Sequence, residues 1–360
     1  MKWKRLAFLA TGLLFLAACA QGQKTNEKQP GGPLVRPKVT LHFASFGGSF
    51  QDDLDRAVIK PICREIGCDS QVDAYSGEYD HLAATIKNGT NPFDLVHVET
   101  RFLIQGGKGG LLAPINWKEV DENKLVPGAK NRFGVGLLAW SLVLAWNQSR
   151  LPAGTPPPSS WKDFFNIKKY PGPRALRNTP EGNIELALLA DGVKPQDLYK
   201  NGLDVDRALR KLSTIKPYIS WWTSGAELEQ KLSTSCIMAA AWNGRVFNLK
   251  KAAQVPVAFT YDGSINQFDW WVIPANSAHK NLAMKFLAAF VNGQGQDTIA
   301  KNFGYGPVAL KALGAIPPDL LEQLPSDPTN AKLGVPFDGE WWAQNEAAVE
   351  KRWNQWLLGH

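Results

Sequence analysis

The segment that decides the fold begins Val39-Thr40-Leu41-His42-Phe43-Ala44 and turns through Ser45-Phe46-Gly47-Gly48-Ser49. The apolar run reads as a short buried strand, and Leu54, Val58 and Ile62 then recur four residues apart on one face of a helix. Residues 71–74 read as a second strand. Tyr79, Leu82, Ala83 and Ile86 line one side of a second helix, which Asn88-Gly89 stops. Residues 93–98 make a third strand with a buried Leu95-Val96 centre. Strand–helix–strand–helix–strand implies a mainly parallel α/β sheet with right-handed crossovers.

A second series of the same kind lies further along the chain. Residues 142–146 read as a strand, and a Pro-, Gly- and Ser-rich loop over residues 151–160 precedes a short helix at Trp161. Residues 175–177, 237–242, 255–261 and 270–273 read as strands, with a helix over residues 183–189. Leu282, Phe286 and Phe290 share a helix face, and Trp342, Val349, Trp353 and Trp356 another, with Gly359 as its cap. The expectation is two α/β lobes joined by more than one crossing: residues 38–144 plus 270–306, and residues 145–269 plus 307–360.

The chain's 360 residues suit about two domains. A hydrophobic fraction of 44% against 20% charged residues marks a folded protein rather than a disordered one. Lys2, Lys4 and Arg5 precede a mainly apolar run of 13 residues, Leu6 to Ala18, too short to span a bilayer. A basic flank, a greasy segment and small residues form an export signal over residues 1–18. Its Leu16-Ala17-Ala18-Cys19 ending resembles the bacterial lipobox, which makes Cys19 the expected lipidation site. Residues 19–37 then read as a flexible tether holding a periplasmic or extracytoplasmic body to the membrane. Without the three signal cations, 37 basic residues face 33 acidic ones, so the modest positive balance gives no nucleic-acid patch. An oxidising exterior leaves a Cys63–Cys68 disulfide open if Gly67 breaks the helix between them. Cys236 reads as an inert core thiol.

Catalysis finds no positive support. The five histidines have no HExxH spacing, and no GxSxG elbow is present. Neither a metal site nor a cofactor is expected. Gly106-Gly107-Lys108-Gly109-Gly110 lacks Walker spacing and reads as a turn. His97, inside an apolar strand, reads as a satisfied core residue. A secreted hydrolase stays open only through Ser49 or Ser76 beside His81.

In open α/β sheets a ligand sits beyond the carboxyl ends of the strands. That rule selects Phe46 and Ser49 after the first strand, Tyr75 after the second and Glu99 after the third. It also selects Glu181 and Trp242 from the second series, Asp269 on the crossing strand, and Tyr305 in the Gly304-Tyr305-Gly306-Pro307 turn. Aromatic faces attract ammonium groups by roughly 0.5–2 kcal/mol each, and a carboxylate adds a charge-assisted hydrogen bond. The set suits a small organic cation. Arg101 close to Glu99, and the Gly47-Gly48 amides, leave an anionic or zwitterionic ligand open. Trp270, Trp271, Trp353 and Trp356 read as packing.

These segments resemble a family. Phe46-Gly47-Gly48-Ser49-Phe50-Gln51, Trp161-Lys162-Asp163-Phe164-Phe165, Ser224-Gly225-Ala226-Glu227-Leu228, Ala241-Trp242-Asn243-Gly244-Arg245 and Phe268-Asp269-Trp270-Trp271 occur in the order seen in substrate-binding proteins of ABC importers, in the spermidine/putrescine-binding class. The resemblance implies an α/β, two-lobe periplasmic binding protein type II fold with hinge crossings between the lobes. It implies a monomeric, non-catalytic receptor that takes a polyamine to an inner-membrane ABC permease. Trp242, Asp269 and Tyr305 fall where polyamine binders contact ligand. The chain departs from the family at Asn178-Thr179-Pro180, at Arg101 and at Phe46, which leaves an opine, amino acid or phosphonate open as the solute.

Overall fold

The computed structural model describes residues 38–359. The expected signal and tether, with Cys19, lie outside them. Among the described residues ten strands form one sheet. They are β1 (Thr40–Ser45), β2 (Asp69–Ala74), β3 (Leu95–Glu99), β4 (Lys130–Asn131) and β5 (Gly134–Asn147), followed by β6 (Arg174–Arg177), β7 (Ile219–Trp222), β8 (Met238–Trp242), β9 (Val257–Val272) and β10 (Val335–Pro336). The main path runs β2-β1-β3-β9-β5-β8-β6-β7, with β4 beside β5 and β10 beside β9.

The two ends of this path are parallel, as the alternating pattern requires: β1 with β2 and β3, and β6 with β7 and β8. Between them β5 and β9 run antiparallel to each other, β9 antiparallel to β3 and β5 to β8, while β10 lies parallel to β9. The sequence reads residues 255–261 and 270–273 as two separate strands. In the structure they are the ends of the single 16-residue strand β9. The chain stays extended there because β5 pairs on one side, and β10 on the other matches Val335 with Ile265. Register shifts in the β5–β9 pairing at Gly136/Leu138 and Leu142/Leu144 mark where the ladder bends between the halves.

Each half has a core on both faces of its sheet. Leu41, Phe43, Leu95, Trp271 and Phe286 pack on one face of the first half, and Ala44, Leu82, Val96, Phe102 and Trp270 on the other. In the second half Leu144, Leu176, Ile184 and Met238 pack with Trp342 and Trp353, while Val143, Ala145, Trp222 and Leu228 fill the opposite face. The switch of face between Leu144 and its two neighbours is the two-residue period of a strand. Val308 and Leu313, expected with the second lobe, pack in the first core.

Two local readings change. Gly106 and Gly107 are buried in the last turn of the helix Thr100–Lys108 rather than in a loop, because the Phe133 ring lies where a side chain on Gly107 would go. Gly67 ends the helix Lys60–Ile66 with φ 79°, as a bond between its flanking cysteines would require. Yet Cys63 and Cys68 remain free buried thiols, joined through the Cys68 N–H to the Cys63 carbonyl at 2.8 Å. Ser224-Gly225-Ala226-Glu227 is a capping box on the helix Gly225–Thr234. Gly359 caps the helix Gly339–Leu358 in the left-handed region.

Candidate functional site

The ends of β1, β3 and β8 open onto a cavity of about 520 Å³, with the crossing strands β5 and β9 as its floor. Phe46, Ser49, Glu99, Trp242, Asp269 and Tyr305 all line it. The loop after β1 supplies Phe46 and Ser49 because Gly47 (φ 76°) and Gly48 (φ 66°) turn the chain in a region that other residues avoid. Gly47 packs so near Ala74 that an added Cβ would sit 3.2 Å from its methyl group. Trp242 ends β8, and the helix Asn243–Lys251 carries Arg245 into the same wall one turn later.

Asp269 is held by the protein. Its Oδ1 accepts from Trp140 Nε1 at 2.9 Å, and its Oδ2 bonds His97 Nε2 at 2.8 Å. The other ring nitrogen of His97 bonds Ser45 Oγ at 2.9 Å. The expectation of a satisfied core histidine describes this residue, which is 1% exposed. The Ser–His–Asp chain is not arranged as a nucleophile array, because Ser45 is 0% exposed although it ends β1. It orients a carboxylate toward the cavity and leaves each oxygen a lone pair for a ligand. Ser76 is tied to Glu78 through its N–H at 2.8 Å. Among the described residues no hydrogen bond joins it or Ser49 to His81.

Glu99 is different. It lies opposite Asp269 in the β3–β9 register, so the two side chains project to the same face. Its N–H donates to Tyr79 Oη at 2.9 Å, but among the described residues no side-chain hydrogen bond or ion pair engages its carboxylate. Burial, with Asp269 and Glu181 nearby, pushes the Glu99 carboxyl up to about 7; Arg177 and Arg101 pull the other way. Arg101 turns from Glu99 to pair with Glu346 on the C-terminal helix, where Gln105 also donates at 3.0 Å. A half-buried, unpaired acid beside a second acid is a place for a cation.

Tyr75 and Glu181 do not line the main cavity. The Tyr75 ring stacks on Phe46 with centroids 5.3 Å apart, and its hydroxyl donates to the His97 carbonyl. It supports the wall from behind. Glu181 accepts from Gln267 Nε2 at 3.2 Å in a small adjoining cavity that shares Trp140 and Trp242 with the main one. Burial raises the Tyr305 hydroxyl to about 12, so it stays a neutral hydrogen-bonding group.

Sequence reasoning missed Trp140, Arg245 and Phe50, all of which line the cavity. Arg245 carried a signal, standing three residues after Trp242 at the start of a helix. It bonds Glu229 Oε1 at a loose 3.3 Å and is 43% exposed in its side chain, so its charge reaches the cavity. Trp140 carried none, because it sits mid-strand in β5. Among the described residues no group of three or more His, Cys, Asp or Glu is placed to hold a metal ion. No helix there is long and apolar enough to cross a membrane.

A deep cleft between two α/β halves, walled by aromatic rings and charges of both signs, defines a solute-binding protein. The chain belongs to the family described as bacterial extracellular solute-binding protein, whose profile it matches over residues 65–329. It is 34% identical to the gamma-aminobutyric acid-binding protein of Pseudomonas aeruginosa, over 96% of this chain and 94% of that one. A solved structure described as a GABA receptor superposes with a TM-score of 0.80 at 33% identity, covering 88% of this chain and 97% of its own. The spermidine/putrescine-binding periplasmic protein of Escherichia coli is 21% identical over 97% of this chain and 95% of its own. The fold is that of the periplasmic binding proteins, and the relatives are binding receptors rather than enzymes. Family membership places the working site outside the cytoplasm.

Proposed function

We propose that this chain is the receptor of an ABC importer for a small zwitterion whose ammonium and carboxylate are separated by a short methylene chain, such as gamma-aminobutyric acid. The observation that carries the reading is one cavity lined by two carboxylates, Glu99 and Asp269, and one guanidinium, Arg245. The ammonium would lie between Glu99 and Asp269, and the carboxylate against Arg245 and the Ser49 hydroxyl. The methylenes would run over Phe46, Trp242 and Tyr305. A relative named for that ligand at 34% identity supports it, while the polyamine-named relative stands at 21%. Amino acids and other zwitterions, left open by the sequence, therefore come ahead of a polyamine.

Closure of the lobes on the solute would build the surface an inner-membrane permease reads, a population shift driven by contacts to both halves. Glu99 and Ser49 come from the first half, and Trp242 and Arg245 from the second. The lobe assignment of residues 38–144 with 270–306, and of 145–269 with the remainder apart from the Val308 and Leu313 segment that packs in the first core, belongs to this proposal, as does tethering through Cys19. The putrescine reading keeps one specific support: two acids that face one base. Titration calorimetry of the mature protein with gamma-aminobutyric acid, putrescine and spermidine separates the two. The amino acid should bind at least tenfold more tightly than either amine, and a preference for putrescine would replace this reading with the diamine one.

A further inference from the structure

β5 changes partners along one edge. Over residues 142–146 it pairs with β8, in a register that sets Leu142 against Trp242. Further back, Ala139 exchanges both main-chain hydrogen bonds with Gly306, each at 2.8 Å, in the turn that carries Tyr305. Continued along the chain, that antiparallel register would put the Ser141 N–H opposite the Gly304 carbonyl. The Asn243 carboxamide is inserted in this rung. Its Oδ1 accepts from the Ser141 N–H at 3.0 Å, and its Nδ2 donates to the Gly304 carbonyl at 2.7 Å. Asn243 is 0% exposed. The next residue is shaped for the same contact, because the Tyr305 ring lies where a Cβ on Gly244 would go, 2.6 Å away. Trp242 packs with the cores of the second half and Tyr305 with the first, so this one amide joins the halves at the cavity wall.

We infer that Asn243 is a positioning residue for solute binding, which fixes the Tyr305 turn against β5 and so keeps Tyr305 in the wall that it shares with Trp242. Its own side chain stands behind the cavity and does not line it. The inference rests on the reading that this cavity holds the solute, and not on which solute that is. A carboxamide suits the place because it is neutral and offers an acceptor and a donor in one plane, as the displaced peptide group would. An apolar side chain there would leave a buried N–H and a buried carbonyl unpaired, and the turn would shift to find other partners.

Two measurements test this on the mature wild-type protein, Asn243→Ala and Asn243→Ser, with melting curves to confirm folding. Hydrogen exchange read by mass spectrometry needs no solute. Residues 303–307 should exchange at least about tenfold faster in both variants. Unchanged exchange there overturns the inference, as does an equal rise in Glu185→Ala, which would mark a general loosening. Calorimetry then uses whichever of gamma-aminobutyric acid and putrescine the wild type binds more tightly. Asn243→Ala should weaken that binding at least about tenfold, as should Tyr305→Ala. In the double variant the loss should stay within about threefold of the larger single loss, because Tyr305 then has no position left to lose. Losses that multiply overturn the inference, as does wild-type affinity in either folded single variant. Should Asn243→Ala not fold, Asn243→Ser, whose hydroxyl can meet only one of the two partners, carries the same cycle. If wild type binds neither solute, the solute reading fails, and the exchange result still judges whether Asn243 holds the turn.

Discussion

Glu99 and Glu185 are two acids in different halves of one molecule, and burial pushes each carboxyl up to about 7. Their surroundings share nothing else. Glu185 is 0% exposed on the helix Asn183–Ala190, and its Oε1 accepts from Tyr199 Oη and Trp342 Nε1, both at 2.7 Å. Those bonds tie the helix to the C-terminal helix across the second core. Its Oε2 has no hydrogen-bond partner. Glu99 has no side-chain donor and faces a cavity with a second carboxylate beside it. A perturbed acid therefore does not by itself mark a site. What marks it is an acceptor left open toward a space that a ligand can enter.

The hardest blow to this comparison would come from Glu185→Ala. It strips the acceptor from two buried donors and leaves a hole, so stability in urea should fall by about 2–4 kcal/mol with solute affinity within twofold of wild type. A large affinity loss in a well-folded variant would move Glu185 into the site.

Glu99→Gln should do the reverse. Losing one charged hydrogen bond should weaken gamma-aminobutyric acid binding by roughly tenfold to a hundredfold, about 1.5–3 kcal/mol. The same change sharpens the pH contrast. The folded-state pKa of about 7 lies above the ordinary glutamate value of 4.5, so between these the folded protein holds more protons than the unfolded chain. Stability from this group is present below about pH 4.5 and lost as pH rises through about 7. Glu99→Gln should flatten part of that decline in melting temperature, and Glu185 should sustain the rest. Because an ammonium favours the ionised acid, wild-type affinity should rise with pH up to about 7, and that slope should vanish in Glu99→Gln. A slope that persists in the variant would assign the proton to another group.

The smallest effect belongs to Glu346→Gln, which removes the partner of Arg101 between the helices Thr100–Lys108 and Gly339–Leu358. The Arg101 side chain is 37% exposed, so the loss in stability should stay within about 1 kcal/mol in chemical unfolding. A freed Arg101 can also turn toward Glu99, and a modest drop in solute affinity would report it. An affinity gain would contradict the view that Glu99 works as an open acid.

The sequence determined the alternating α/β pattern, the parallel ends of the sheet and the residues just past the strand termini. Phe46, Ser49, Glu99 and Trp242 were legible because a parallel strand delivers what stands at or just past its carboxyl end to one edge of the sheet. That is a local property, readable wherever an apolar run stops. Asp269, by contrast, lies on the antiparallel strand β9, and Tyr305 in the turn after a helix. Only the tertiary structure decided that β9 is one strand, that Trp140 reaches Asp269 from 129 residues away, and that Arg101 answers Glu346 rather than its neighbour Glu99. These depend on the register of a bent antiparallel ladder and on a helix from the far end of the chain. No periodicity encodes such distances, because the partners share a place in space and no interval in sequence.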